Sequence, residues 1–422
     1  MNLNQSQLIS TNLKEPPKIS VIICCYTMER LNDIKEAVES VLNQTLKPHE
    51  VILAVDHNEE LFRKLVETYR DSIEIRRKFP NLNECQSISI KIVLNTGAQG
   101  LSETRNVGIR ASTGDIVAFI DDDAIAEPDW LEHLVRPLIY RQPETCRDSM
   151  EIHGEKSQSI SINLNEFQPK VVAVGGRAIP LWLSGKRPSW FPEELDWIVG
   201  CTYKGLPVNY SLQSLATGQQ SSIPLDSRLS TTDYRLPTVR NVPGCNMAFR
   251  KEVFEQAGFF RSEMGGIEKT PRGGEEAELC LRIKDKIPDA LILYEPAAII
   301  HHKVPSWRLN LRYVSRRSFN EGFYKAKVQK LHKTVKRPQF PVPSLQSPVS
   351  NLQSPISNPQ SPLSTENSYL RYLLFTSIPE RLKHIYKKGN LSQLWVIMIS
   401  IVATGLGYLV GKIRTLNFEL RT

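Results

Sequence analysis

Residues 114–123 read GDIVAFIDDD, an apolar run that leads directly into three consecutive aspartates. The run at 116–120 predicts a strand buried on both faces, as in a parallel sheet. Three adjacent carboxylates repel one another and cost stability unless a cation compensates. Because alternate residues of an extended chain point the same way, we expect Asp121 and Asp123 to face one side. The stretch therefore predicts a strand that ends at a cation site, with an acidic turn before a helix as the simpler alternative.

Strands and helices alternate along the chain on both sides of this stretch. Apolar runs at 19–25, 51–55 and 88–94 predict buried strands, and apolar residues at helical spacing between them predict amphipathic helices. This alternation predicts an α/β fold with an open, mostly parallel central sheet flanked by helices. In such folds, ligands bind at the carboxyl ends of the strands. Asp56 and the aspartate triplet both lie at predicted strand ends.

Composition narrows the classes of function. The 422 residues are 41% hydrophobic, enough for one large catalytic domain with appendages, which we place at 18–336. A formal net charge of +8 suits a phosphate-bearing substrate or an anionic membrane, and it does not demand nucleic acid. The seven cysteines show no metal spacing and indicate a reducing compartment. The polar segment 1–17 predicts a disordered N-terminus without a secretory signal.

A second change of character begins after the catalytic domain. Residues 345–365 repeat with a period of seven, as LQSPVSN, LQSPISN and PQSPLST. A proline in every repeat excludes a coiled coil, so the segment 337–368 is predicted to be a flexible linker.

The C-terminal part is predicted to reach a membrane. A basic juxtamembrane segment at 369–393 precedes residues 394–411, which carry no charge over 18 positions and just reach the length of a membrane span. The alternative is a buried core helix, but a helix behind a flexible linker has no obvious core to enter. A transmembrane helix with a short tail at 412–422 is therefore predicted, and basic residues at both ends leave its topology open.

Four segments together resemble the donor half of family 2 glycosyltransferases: SVIICCYTMER, VILAVDHNE, GLSETRNVG and GDIVAFIDDD, which begin at residues 20, 51, 100 and 114. The resemblance implies the GT-A fold of nucleotide-diphospho-sugar transferases and an inverting, metal-dependent transfer from a nucleotide sugar, with a UDP-sugar favoured. It further implies a set of donor-binding residues, namely Tyr26, Glu29, Asp56, Arg105, Asp121 and Asp122. Within that set, Asp56 is expected to pair with the donor's base.

The same resemblance implies a metal site and a catalytic base. Asp121, Asp123 and His302 would hold Mn²⁺ or Mg²⁺, and the imidazole suits Mn²⁺ better. The segment GGEEAELCLR at 273–282 resembles the family's Glu-Asp motif, whose second acid is the base, so Glu276 is the expected base and Glu275 the expected contact to sugar hydroxyls. The simpler account is that acids in a first helical turn are stabilised by the helix dipole.

Within the family, the resemblance is closest to glucuronosyltransferases that act on glucosyl dolichyl phosphate, carried by FIDDDAIAEPDW, AVGGRAIPLW and WFPEELDWIVGCTYKG. It implies a lipid-linked saccharide or polysaccharide acceptor, with Trp190 and Trp197 in the acceptor site. A membrane is then a partner, nucleic acid is not, and the catalytic domain is expected on the cytoplasmic side, where nucleotide sugars are made. The competing hypothesis is an inactive glycan-binding or scaffold protein of the same fold. A dinucleotide-dependent enzyme is excluded because no G-x-G-x-x-G follows the first strand.

Overall fold

A computed structural model describes most of the predicted catalytic domain and the C-terminal segment. The described residues are 16–70, 88–139, 170–208, 236–265, 273–287, 289–333 and 368–419. Most of the predicted linker and of the predicted N-terminal tail lie outside them, as do most residues of two polar stretches, 145–170 and 208–238.

Eight strands form one mixed sheet in the order β3-β2-β1-β4-β7-β6-β8-β5. They are β1 (Ile19–Cys25), β2 (Glu50–Asp56), β3 (Ser89–Asn95), β4 (Ile116–Asp121), β5 (Ala124–Ala126), β6 (Lys170–Trp182), β7 (Asn246–Arg250) and β8 (Ala290–Val304). The first four strands in this order are parallel neighbours, as are β6 and β8. In contrast, β7 runs antiparallel to β4 and β6, and β5 runs antiparallel to β8.

Nine α-helices with defined bounds accompany this sheet in the described part of the chain, besides shorter helical turns. They are α1 (Leu31–Leu42), α2 (Glu59–Thr68), α3 (Leu101–Ala111), α4 (Trp130–Ile139), α5 (Glu252–Ala257), α6 (Glu275–Lys286), α7 (Leu311–Lys333), α8 (Ile378–Lys383) and α9 (Asn390–Glu419). Two apolar clusters occupy the two faces of the sheet, one with Ile34 and Val38 of α1 and the other with Phe254 of α5 and Leu279 of α6. Burial on both faces explains why the strands are apolar throughout rather than alternating.

The sheet brings the polar strand ends to one edge. Cys24 of β1 is in register with Asp121 of β4, and Asp56 of β2 is in register with Asn95 of β3. The antiparallel pairing of β5 with β8 places His302 opposite Ala124. Residues far apart in sequence therefore meet at the carboxyl ends of the central strands.

The predicted α/β fold with a mostly parallel sheet is confirmed, and the bounds of the predicted strands agree to within a few residues. The long strand β8 joins two apolar runs of the sequence, 291–294 and 297–300. The short strands β5 and β7 were not predicted, since three and five residues are too few for a clear periodicity.

The C-terminal helix α9 differs from the expectation of an isolated span. A Cβ on Gly407 of α9 would lie 1.9 Å from the carbonyl oxygen of Phe319 in α7, so the two backbones are in close contact. The hydroxyls of Ser318 and Ser400 are 2.9 Å apart across the same interface. The argument that this helix has no core to enter is therefore wrong, because one of its faces packs on α7. By length and hydropathy, Asn390–Arg414 remains able to cross a membrane.

Candidate active site

Three potential metal ligands meet at the carboxyl ends of β4 and β8. The Nε2 atom of His302 lies 3.2 Å from Asp123 Oδ1 and 3.7 Å from Asp121 Oδ2. The three ligand atoms all lie within 4.8 Å of one another. Asp123 and His302 are buried, whereas 32% of the Asp121 side chain is exposed, so solvent reaches the group from that side. Two carboxylate oxygens and one imidazole nitrogen form a donor set that fits a divalent cation such as Mn²⁺.

The charges in this group are strongly coupled. Burial alone would raise the pKa of Asp123, but His302 and Arg30 beside it hold that pKa well below its usual range. Burial alone would lower the pKa of His302, but Asp123 and Asp121 raise it well above its usual value. A histidine that binds a metal ion must be neutral. A proton on the His302 imidazole and a metal ion therefore compete for the place between this imidazole and the two carboxylates.

Two arginines that the sequence analysis missed frame the acidic group. Arg30 donates to Asp122 at 2.5 Å through Nη1, and its Nη2 atom lies 2.9 Å from Asp123 Oδ2. Burial nevertheless raises the pKa of Asp122 to about 7. Arg308, from the turn Ser306–Arg308, lies 3.6 Å from Asp123 Oδ2, and its buried Nε has no hydrogen-bond partner among the described residues. The only available signal was position: Arg30 ends the segment CCYTMER, and Arg308 follows His302 by six residues.

The residues predicted to bind the donor lie around the same edge of the sheet. Tyr26 and Glu29 line a cleft of about 320 Å³, together with Arg30 and Asp123. Asp56 is held at the end of β2, where Oδ1 accepts from Asn95 at 2.9 Å and Oδ2 accepts from the Gly100 N–H at 3.0 Å. A carboxylate oxygen can accept more than one hydrogen bond, so Asp56 is positioned and still able to accept from a ligand.

Arg105 contacts the predicted base and the backbone beside it. Its Nη1 atom lies 3.3 Å from Glu275 Oε1 and 3.1 Å from Glu276 Oε1, and its Nη2 atom donates to the carbonyl of Gly244 at 2.9 Å. Arg105 is only 2% exposed, and both glutamates belong to the first turn of α6. The structure therefore places Arg105 against the acids of α6. It positions those carboxylates, and any contact to a donor would be additional.

The environment of Glu276 is unusual for a carboxylate. Burial and the neighbouring Glu275 raise its pKa to about 8, although Arg105 acts in the opposite direction. A Cβ at position 244 would lie 1.7 Å from Glu276 Oε1, so any larger residue there would force this carboxylate to move. The Oε2 atom of Glu275 is buried without a hydrogen-bond partner among the described residues. The helix N-terminus favours the ionised form of Glu276, but burial and Glu275 outweigh it.

The two tryptophans predicted to bind the acceptor lie in different surroundings. Trp190 packs edge-on against Phe191, with ring centroids 5.6 Å apart, and lines an apolar cavity of about 520 Å³. The cavity continues to Leu309, next to Arg308, and to Trp395 of α9. Trp197 lies half-buried in the turn Glu193–Val199 and packs against the main apolar cluster. The structure thus places Trp190, but not Trp197, on the wall of this cavity.

The fold and this site together define a class of enzyme. A mixed, mostly parallel sheet with an Asp-x-Asp group at a central strand end and an acidic helix start facing it is the GT-A arrangement of nucleotide-diphospho-sugar transferases. The model of the family "Glycosyl transferase family 2" matches residues 20–156, which contain β1 to β5. The donor half of this chain is therefore similar to members of glycosyltransferase family 2.

Similar proteins were found for the whole chain and for its donor half. The chain is similar to the glucosyl-dolichyl phosphate glucuronosyltransferase of Haloferax volcanii, with 29% identity over 93% of this chain and 96% of the relative. It is also 30% identical to the putative glycosyltransferase EpsH of Bacillus subtilis, over 29% of this chain and 30% of that protein. Among solved structures, a mannosyltransferase from Pyrobaculum calidifontis, in complex with GDP-Man and Mn²⁺, matches 93% of this chain at 15% identity with a TM-score of 0.46.

Proposed function

We propose that this glycosyltransferase is inverting and metal-dependent, and that it moves a sugar from a nucleotide-sugar donor to a hydroxyl of a lipid-linked acceptor at the cytoplasmic face of a membrane. One observation carries the proposal. The buried Nη1 atom of Arg105 lies 3.3 Å from Glu275 Oε1 and 3.1 Å from Glu276 Oε1, and Asp121 also contributes to the raised pKa of this arginine. Arg105 therefore couples the candidate base to an aspartate of the acidic metal-binding group, which supports a single site.

Donor binding is assigned to the residues at the strand ends. Asp56 would accept a hydrogen bond from the base, and Tyr26 and Glu29 would line its pocket. The guanidinium groups of Arg30 and Arg308 lie close enough to Asp123 to share a bound diphosphate with the acidic group. A divalent cation held by Asp121, Asp123 and His302 would supply positive charge to that diphosphate and make it a better leaving group.

Glu276 is assigned the proton transfer. The acceptor oxygen forms a bond to the anomeric carbon while the bond from that carbon to the diphosphate oxygen breaks, and the hydroxyl proton passes to Glu276. Attack on the face opposite the leaving group inverts the configuration at this carbon. A carboxylate with a raised pKa is a stronger base than an ordinary one when it is ionised. The unpartnered Oε2 atom of Glu275 is suited to accept a hydrogen bond from a sugar hydroxyl.

A lipid-linked acceptor is supported by two observations. The relative that matches almost the whole chain has a name that contains a dolichyl phosphate. The apolar cavity beside Trp190 is lined by Leu309, Leu311, Val396 and Ile399, and an apolar wall of this kind suits a hydrocarbon chain. Leu309 adjoins Arg308, whose guanidinium lies 3.6 Å from Asp123, so the cavity wall begins one residue from an arginine beside the metal-binding group.

The test is a donor and acceptor panel with the purified full-length protein. UDP-sugars, UDP-glucuronic acid among them, are tested first and GDP-sugars second, with glucosyl dolichyl phosphate or a polysaccharide as acceptor and with Mn²⁺, Mg²⁺ or EDTA. Nucleotide release with one donor that requires both metal and acceptor supports the proposal, and the anomeric configuration of the product reports inversion. Glycan binding without release from any donor would instead support the inactive scaffold protein.

A further inference from the structure

Helix α9 has two different faces. The face toward α7 carries small residues, Ser400, Gly407 and Gly411, which permit close helix contact. The other face carries large apolar side chains at spacings of three and four residues, each between 45% and 66% exposed: Leu391, Trp395, Met398, Val402, Leu406, Leu409 and Ile413. We call this set the apolar stripe of α9. At a rise of 1.5 Å per residue it is about 33 Å long.

Helix α7 packs along α9 and also contacts the catalytic domain. Contacts to α9 run along its length, from the Ser318–Ser400 hydroxyl pair to the hydrogen bond that Tyr408 donates to Gln329. Other α7 side chains bind the catalytic domain, since His332 is 2.9 Å from Asp285 and Lys327 donates to the carbonyl of Glu263. Helix α7 is also charged, with an ion pair between Glu321 and Lys325.

This packing conflicts with a membrane-spanning α9. If α9 crossed the bilayer while bound to α7, the charged residues of α7 would enter the hydrocarbon layer, which is costly for ionised side chains. Spanning would therefore require α9 to leave α7 and expose its glycine-lined face. No such separation is needed if α9 lies parallel to the membrane surface with its apolar stripe facing the lipid.

The surroundings of the stripe have the charge of a membrane-binding surface. From residue 368 to 414 the chain has seven lysines and arginines and a single acidic residue, Glu380. Lys387 and Lys388 are exposed before the stripe, and Lys412 and Arg414 are exposed at its end. Two aromatic residues upstream extend the apolar surface, since Phe375 is 76% exposed and Tyr386 is 97% exposed. Basic residues beside a long apolar stripe are typical of helices that lie in the interface of anionic bilayers.

We propose that residues 368–414 attach the protein to one leaflet of an anionic bilayer, with α9 lying in the plane of the membrane rather than crossing it. The apolar stripe enters the boundary between headgroups and acyl chains, and the lysines contact anionic lipid phosphates. This inference does not depend on the identity of the donor or acceptor. It also implies that the apolar cavity lies next to the membrane, because Trp395 belongs both to the stripe and to the cavity wall. The cavity would then open at the level of the lipid.

The first experiment measures which side of the membrane each end of α9 occupies. Full-length protein is added to preformed, sealed vesicles of phosphatidylcholine and phosphatidylglycerol, so that its catalytic domain is outside. Lys388→Cys and Lys412→Cys variants are then treated with a membrane-impermeant maleimide, and the parent protein gives the background. We expect both positions to react to a similar extent before the vesicles are permeabilised. Protection of position 412 until permeabilisation would show that α9 spans the membrane and would overturn the proposal.

The second experiment measures binding to vesicles by flotation. Lys387→Gln with Lys388→Gln should weaken binding to anionic vesicles about 25-fold, taking roughly fivefold for each charge, and high salt should remove the difference. Lys64→Gln, on α2 at the β3 edge of the sheet, should leave binding unchanged. Val402→Ser with Leu406→Ser should weaken binding at least about tenfold. Normal vesicle binding by this last pair, together with a change from dimer to monomer, would identify the stripe as a contact between two copies and would also overturn the proposal.

Discussion

Replacement of Glu276 by glutamine tests the assignment of the catalytic base. The substitution keeps the size of the side chain and its place between Arg105 and Gly244, and it removes the ability to accept a proton. General base catalysis contributes about 10²- to 10⁴-fold, so kcat should fall by that factor while donor affinity stays nearly unchanged. Glu275→Gln is the matched control, one residue away in the same helical turn. It should mainly weaken recognition of a sugar hydroxyl.

The pH dependence of the parent enzyme follows from the raised pKa of Glu276. With a pKa of about 8, the carboxyl group holds its proton at neutral pH in the free enzyme. At pH 7 about one tenth of the molecules then carry the ionised base. The value of kcat/KM should therefore rise about tenfold between pH 7 and a plateau above pH 8, because deprotonation creates the active form. In Glu275→Gln the loss of the neighbouring charge should move this rise to lower pH, since Glu275 raises the pKa of Glu276.

The assay is steady-state nucleotide release from pH 6 to pH 9.5, at saturating metal and with the best donor of the panel. Thermal unfolding of each variant shows that the fold is intact. Near-full turnover by Glu276→Gln would refute the assignment. If Glu275→Gln alone lost turnover, the two roles would have to be exchanged. A flat kcat/KM profile between pH 6 and pH 9 would contradict the raised pKa even if Glu276→Gln were inactive.

Four further outcomes are expected. Asp123→Ala should lower activity about a thousandfold with the fold intact, and EDTA should do the same to the parent; full activity in EDTA would exclude the metal. Asp56→Ala should weaken donor binding by about 1–3 kcal/mol in calorimetry, and unchanged affinity would count against its role. Gly244→Ala should displace the Glu276 carboxylate and lower kcat without unfolding the protein, as kinetics and thermal melts would show. Arg381→Ala should destabilise the fold by about 3–5 kcal/mol in denaturant titration, because it removes the guanidinium 2.7 Å from Glu194, a carboxylate that is only 1% exposed. An equal loss of stability in the double variant Glu194→Gln/Arg381→Ala would contradict the unpaired carboxylate as the cause.

Much of the donor half of the fold was predictable because its signals are local. Strands β1, β2 and β4 consist mainly of continuous apolar residues, β3 is apolar apart from Lys91 and its ends, and Asp56 and Asp121 end two of these strands. In a parallel sheet, strand ends meet at one edge whatever the loops between them do. The prediction that Asp121 and Asp123 face the same side assumed side chains that alternate along an extended segment. The structure brings both carboxylates near His302 in a different way, because β4 ends at Asp121 and Asp123 lies in the turn that follows.

Other features of the site depend on contacts between distant segments. Arg30 reaches Asp122 across 92 positions, and Arg105 reaches Glu275 across 170. The hydrophobic periodicity of a single segment carries no information about such pairs. The protonation of Glu276 also depends on such contacts: a helix N-terminus favours the ionised form, but burial and Glu275, which the sequence does not reveal, raise its pKa to about 8. Arg105 belongs here too, since its motif predicts a donor contact while its observed partners are the acids of α6.

The C-terminal segment shows the same limit on a larger scale. Eighteen uncharged residues satisfy the length rule for a membrane span, and that rule assumes no partner for the helix. Here the partner is α7, whose own sequence is basic and only weakly patterned, and the two helices meet through glycines that hydropathy scores barely register. The linker and the segment that contains α8 conceal this pairing in the sequence, because together they separate the two helices by more than fifty residues. Once α7 is in place, the apolar residues of α9 divide into a buried set and an exposed set. The exposed set lies on the side of α9 that faces away from α7, and α7 is itself attached to the catalytic domain. This arrangement suits a helix that lies on a membrane surface.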